Sequence, residues 1–210
     1  MTALPGKRRR RAVDEAKREI LDVAAQLLER DGPDAVRVQV VARKMGVSDA
    51  TVHYHFGSRE ALLEALLRDV GRRMKREFQD VIDNWDAESF DVRSLVSLLD
   101  DSYRRRGYGR LAGWMHLTGW RPRGSGMFRT HAEAIHAARL ERARELGTPA
   151  PSVEDSLHLV VLLNLVMWAD AVVGGEWRRS VGLPATAASA GAFREWFASL
   201  TEDHLDAPPH

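Results

Sequence analysis

The chain is 210 residues long, 44% hydrophobic and 29% charged, with a formal net charge of +1 and no cysteine. These proportions suit a packed globular fold of one large domain or two small ones, and the lack of cysteine excludes disulfides, thiolate zinc sites and a cysteine nucleophile. The small net charge conceals an asymmetry: residues 1–79 hold 17 Lys/Arg against 12 Asp/Glu, a net of +5, and residues 80–210 hold 14 against 18, a net of −4. A basic first third fits an end that meets a polyanion, and it fits ordinary solvated charge as well.

Helical spacing dominates, and strand signals are nearly absent. Lys7-Arg8-Arg9-Arg10-Arg11 opens the chain without an apolar signal core, so a cytoplasmic location is expected. Residues 1–11 read as a disordered basic arm that follows phosphates or enters a minor groove, or as a solubilising tail. Ile20, Val23, Ala24, Leu27 and Leu28 form one apolar face from about Ala12 to Arg30, stopped by Asp31-Gly32-Pro33. A second helix is predicted over Val38–Met45 and a third over Asp49–Tyr54, with Ser48 placed to cap it. Ser58 opens a capping pattern, and Leu62, Leu63, Leu66, Leu67, Val70, Met74 and Phe78 carry a long fourth helix.

Further helices are predicted near Val92–Arg106, Gly109–Trp120, Gly126–Leu146, Ser152–Trp177 and Thr186–His204, with Gly174-Gly175 shortening the eighth. Residues 205–210 read as a disordered tail. The apolar run Leu157–Val173 is interrupted by His158, Asn164 and Asp170, which favours a buried or interface helix over a membrane span.

Residues 32–60 are the most informative stretch. A helix, a turn at Gly46, a second short helix and a further helix from Ser58 make the layout of a helix-turn-helix, whose second helix can enter a DNA major groove. Ala42 is small where two helices approach. Gly46 stands where the turn needs a positive φ. Val47, Val52 and Phe56 are available for the small core, which leaves Ser48, Asp49, Ala50, Thr51, His53 and Tyr54 to face DNA. The hydroxyls of Ser48 and Thr51 suit phosphates or base edges. An ionised Asp49 accepts from cytosine N4, and Tyr54 offers a hydroxyl and a ring for a thymine methyl.

With Ile20-Leu21-Asp22-Val23-Ala24, Val41-Ala42-Arg43-Lys44-Met45-Gly46-Val47-Ser48, Thr51-Val52-His53-Tyr54-His55-Phe56 and Ser58-Arg59-Glu60-Ala61-Leu62 in order, the segment Ala16–Leu67 resembles the DNA-binding domain of TetR-type transcriptional regulators. The resemblance implies an all-α chain. An N-terminal three-helix DNA-binding domain (12–60) would be joined by a long fourth helix to a helical ligand-binding and dimerisation domain (61–204). It implies DNA contacts from Arg37, Val38, Gln39, Ser48, Asp49, Ala50, Thr51, His53, Tyr54 and Arg59. Arg59 stands near the place where family members carry a phosphate-binding lysine. Two positions depart from the family: a tyrosine is usual in place of His53, and a threonine or serine near Arg37.

The remainder carries no comparably specific motif. Trp114, His116, Trp120, Met127, His131, Asn164 and Trp168 mix large apolar groups with scattered polar ones, the composition of a small-molecule cavity and also of an ordinary helical core. Leu157, Val161, Trp168, Phe193, Trp196, Phe197 and Leu200 lie on the stripes of the last two helices, which can pair with a second copy as a four-helix bundle. The expected partners are a near-palindromic double-stranded operator, a second copy and a small apolar or amphipathic effector that binds the C-terminal domain and releases a repressor from the operator, with no cofactor, metal or membrane. His131-x-Glu133-x-x-His136 is not a metalloprotease motif, because five residues leave the imidazoles about 140° apart on a helix. With no phosphate loop, nucleophile elbow or dinucleotide fingerprint, an enzyme is not expected.

Overall fold

A computed structural model describes residues 5–84, 91–120 and 128–206. Among these residues it consists of helices: α1 Pro5–Asp31, a 3-10 turn Pro33–Ala35, α2 Val38–Met45, α3 Asp49–Phe56, α4 Arg59–Asp83, α5 Val92–Asp100, a π-helical turn Asp101–Arg105, α6 Tyr108–Leu117, α7 Arg129–Leu146, α8 Val153–Ser180 and α9 Ala187–Asp206. The chain divides into two compact units, residues 1–70 with 106–119, and residues 71–105 with 120–210. The division does not fall at residue 60. The first turns of α4 contribute Leu62, Leu63 and Leu66 to the N-terminal core, and α6 belongs with the same unit.

In the first unit, Ile20, Ala24, Leu27 and Leu28 of α1 are buried together with Val41, Ala42, Val52 and Leu111. α1 begins at Pro5, so Lys7–Arg11 continues the helix instead of forming a disordered arm. Proline tolerates the first helical position, and Lys and Arg are good helix formers, so the basic run need not break the helix. At the other end, the predicted tail from residue 205 gives way to helix as far as Asp206, and the rest of it lies outside the described residues.

Gly46 ends α2 at φ 69, and the N–H of Val47 turns back onto the carbonyl of Ala42 at 3.0 Å. Nothing lies within 4 Å of where a Cβ would stand, so the left-handed backbone and not crowding calls for glycine there. Gly107, at φ 76, faces a different demand. A Cβ there would come within 3.1 Å of the Leu28 carbonyl oxygen, so glycine also lets the start of α6 close onto the end of α1.

In the second unit, Val92, Leu95, Val96 and Leu99 of α5 are buried with Leu159, Val160, Leu163 and Met167 of α8 and with Phe197 of α9. Asp91 caps α5 and Ser152 caps α8. The predicted helix over Val92–Arg106 is α5 followed by a π-helical turn. The wider turn belongs to the stretch that meets polar groups of α8: Tyr103 Oη donates to Asn164 Oδ1 at 2.7 Å, and Arg104 pairs with Asp170. Gly174-Gly175 does not shorten α8. A Cβ on Gly174 would collide with Asp170 Oδ1, so the bare backbone makes room for the buried pair Asp170–Arg178 within an unbroken helix.

Candidate nucleic-acid interface

α3 carries the candidate interface. Ser48 caps it, its Oγ accepting from Thr51 N–H at 3.3 Å and lying 3.0 Å from Thr51 Oγ1. Val52, completely buried, anchors the helix to the unit's core. Asp49, Ala50, His53 and Tyr54 lie on the opposite side, all exposed, with Tyr54 reaching 72%. The i, i+4 pairs Asp49/His53 and Ala50/Tyr54 therefore share one solvent-facing side. Val47, assigned from sequence to the small core, is 36% exposed, because it follows the left-handed turn where the chain leaves α2.

The neighbouring end of α2 forms a second part of the surface. Asp34, Arg37, Val38, Gln39, His53 and Arg59 line an open cleft of about 290 Å³. Arg37 is the N-cap residue of α2 but provides no side-chain cap, and its Nε donates to the Asp34 carbonyl at 2.9 Å. The first amides of α2 are therefore left uncapped toward an anion. Gln39 and Arg43 are exposed one turn apart on the outer side of α2. Sequence reasoning passed over Arg43, although its i, i+4 spacing from Gln39 was the signal that marks it.

Two expected contacts are turned inward. Val38 is 4% exposed, its side chain packed in the core, so only its backbone can meet DNA. Arg59 donates from Nε to the Val36 carbonyl at 2.8 Å and from Nη2 to the Pro33 carbonyl at 2.9 Å, while its guanidinium sits 4.8 Å from the centroid of the Trp114 ring. It holds the 3-10 turn to the start of α4 and is no free phosphate ligand.

The residues expected to line a ligand cavity are divided between the two units. Trp114 and His116 belong to the first unit, Trp114 beneath Arg59 and His116 exposed. Trp120, His131, Asn164 and Trp168 belong to the second unit, and Met127 lies outside the described residues. Asn164 is buried and satisfied from within: Oδ1 accepts from Tyr103, and Nδ2 donates to the Val160 carbonyl at 2.8 Å. His131 is 3% exposed and stacks on Phe78 with ring centroids 4.0 Å apart. Burial, assisted by the charge of Lys75, lowers its pKa to about 4, so it is neutral at ordinary pH. The other members of the His131-x-Glu133-x-x-His136 pattern are engaged elsewhere, Glu133 with Arg129 and His136 with Ser156.

α8 is long and apolar enough to cross a membrane by length and composition, with mean hydropathy 1.9 in its best window. Both of its sides are apolar. Leu159, Val160, Leu163 and Met167 face the core, whereas Val153 (58%), Leu157 (44%), Val161 (55%) and Leu165 (59%) stand exposed at four-residue intervals. On α9, Trp196 and Leu200 are exposed in the same way, Phe193 is half-buried, and Phe197 is buried in the protomer and so is no interface residue. Val153, Leu165 and the 72%-exposed Trp177 escaped the sequence reading.

A short cap–helix–turn–helix with an exposed polar face on its second helix, beside an uncapped helix start and an arginine, defines a helix-turn-helix DNA-binding protein. Residues 20–66 match the family described as bacterial regulatory proteins, tetR family. An uncharacterized HTH-type transcriptional regulator of Mycobacterium tuberculosis is 32% identical over 161 residues, covering 75% of this chain and 78% of the relative. The HTH-type transcriptional regulator UidR of Escherichia coli K12 is 24% identical over 161 residues, covering 75% and 81%. The crystal structure of a TetR-family regulator from Pectobacterium atrosepticum superposes with a TM-score of 0.60 at 15% identity, covering 95% of this chain and 98% of that one. The chain belongs to the TetR family of HTH-type transcriptional regulators, generally repressors and not enzymes.

Proposed function

We propose that this chain acts in the cytoplasm as a homodimeric repressor whose two α3 helices read a near-palindromic operator. A small apolar or amphipathic molecule bound in the second unit releases it. The observation that carries the DNA reading is the face of α3: Asp49, Ala50, His53 and Tyr54 point to solvent while Val52 is completely buried. Base edges fall to Asp49, Ala50 and Tyr54, and phosphates to Arg37, Gln39, His53 and the first amides of α2, with Ser48 and Thr51 holding the helix start.

The exposed apolar stripes Val153/Leu157/Val161/Leu165 and Trp196/Leu200 support dimerisation through α8 and α9, with Phe193 and Trp168 at the margin. An isologous pair would place the two α3 helices about 34–36 Å apart, one DNA turn. Release requires a ligand that binds better to a state in which α4 has tilted, since coupling between sites is a difference in affinity between states.

Fluorescence anisotropy with a duplex from the segment upstream of the chain's own gene tests the DNA reading. Tight binding that weakens steeply with salt and falls in Tyr54→Ala is the expected result; no binding at low salt overturns it. Thermal shift with candidate ligands tests the release. Ligands that raise Tm yet leave DNA affinity unchanged would remove the coupling.

A further inference from the structure

We propose that the second unit holds a site for a carboxylate, bound by the unused edge of Arg178 and by Arg194, in a buried cluster whose arginines outnumber its aspartates. The site stands apart from the DNA reading above and does not depend on it.

Five charged side chains meet in this unit: Asp100 at the end of α5, Arg104 in the π-helical turn, Asp170 and Arg178 of α8, and Arg194 of α9. Arg104 pairs with Asp100 at 2.8 Å and also with Asp170, and Arg178 pairs with Asp170. Arg194 Nη1 stands 3.2 Å from Asp100 Oδ1 and 3.8 Å from Asp170 Oδ2. Among the described residues, three guanidiniums therefore share two carboxylates. The side chains of Asp170 and Arg178 are only 2% and 8% exposed, so solvent neither hydrates nor screens the surplus charge well.

The hydrogen bonds leave matching gaps. Arg178 donates to Asp170 from Nη1, while its Nε is buried and has no acceptor among the described residues. A guanidinium is planar and rigid. It holds Nε–H beside Nη2, on the side away from Nη1, so this edge cannot turn to Asp170 while the pair stands. Arg194 Nη1 is buried too, close to both carboxylates but aligned for a hydrogen bond with neither. Buried donors on charged groups are costly to leave without acceptors. One monoanion answers both demands, since it balances the charge and supplies the acceptors. A carboxylate suits the Arg178 edge because its two oxygens match the two parallel N–H bonds of the Nε/Nη2 fork. Arg104 and Arg194 are partly exposed, so the cluster opens to solvent on their side. A free small acid and the head of an amphipathic molecule present the same group.

Thermal unfolding of the full-length protein tests the site, with sodium acetate or sodium octanoate replacing sodium chloride at constant ionic strength. Carboxylate should raise Tm to saturation, by about 3–5 °C at about ten times the half-saturating concentration. Octanoate acting at a concentration on the order of tenfold lower than acetate would assign the site to an amphipathic acid; equal concentrations would assign it to a small free one. Arg194→Met leaves two cations for two carboxylates. It should lose the response to both probes and be no less stable than the unaltered chain in chloride alone. Arg178→Lys keeps the charge without the fork and should raise the half-saturating concentration by on the order of tenfold. A Tm that ignores both probes, or a response that survives unchanged in Arg194→Met, overturns the proposal.

Discussion

The Arg59 guanidinium lies over the Trp114 ring, 4.8 Å from its centroid, and from there reaches the carbonyls of Val36 and Pro33. Arg110 of α6 lies beside the same turn, with Nη1 3.9 Å from where a Cβ on Gly32 would stand. The turn leads straight into Arg37 and α2, so Arg59 ties the start of α2 to α4. Arg59→Ala should cost about 2–3 kcal/mol in denaturant unfolding, because charge-assisted bonds to two carbonyls are lost. Arg59→Lys should recover little, since one ammonium cannot donate to both carbonyls in a fork and stack on the ring. DNA affinity should fall in both variants without a change in salt slope. A shallower slope would return Arg59 to the phosphate contacts.

His131 makes stability depend on pH. Its pKa is lowered to about 4 in the folded chain, first by burial and then by Lys75. The unfolded value is about 6.5. Above about pH 6.5 both states hold the ring neutral and its contribution is constant. Below it the unfolded state binds a proton that the folded state refuses, so stability falls as pH drops toward about 4, by about 2–3 kcal/mol. Urea unfolding at several pH values measures this. His131→Phe, which keeps a ring against Phe78, should flatten the dependence.

α8 explains what a single sequence shows and hides. Its length and its apolar character were legible, but a helix apolar on every side has no stripe by which to tell core from interface. Val160 and Asn164 went inward and Leu165 outward, which only the positions of α5 and α9 decide. Around the turn the reading went further: Val38–Met45, Gly46 and Ser48 are local chemistry, and they formed as the residues demand. Arg59 was misread for the opposite reason. Its role depends on Trp114, 55 positions away in the chain, and no local pattern announces that pairing.

Val161→Glu and Leu165→Glu each place a charge on the exposed side of α8 without touching the protomer core. Sedimentation should show a monomer with unchanged helicity and weakened DNA binding. A variant that remains dimeric would move the interface elsewhere.

Gly174→Ala should lower stability by about 1–3 kcal/mol, because the new methyl collides with Asp170 and forces the buried pair with Arg178 apart. Gly175→Ala has more room, with its Cβ 3.7 Å from that of Ala185, and should cost less. Thermal unfolding of the two variants side by side compares them directly.

Hydroxyl-radical footprinting of the full-length protein on DNA from upstream of its own gene tests the central claim, that a dimer lays two α3 helices into successive major grooves. The expected pattern is two protected patches related by a near-palindrome, with centres about one helical turn apart, both lost in Tyr54→Ala and in Val161→Glu. A single protected patch, or two that persist when α3 is altered, would contradict it.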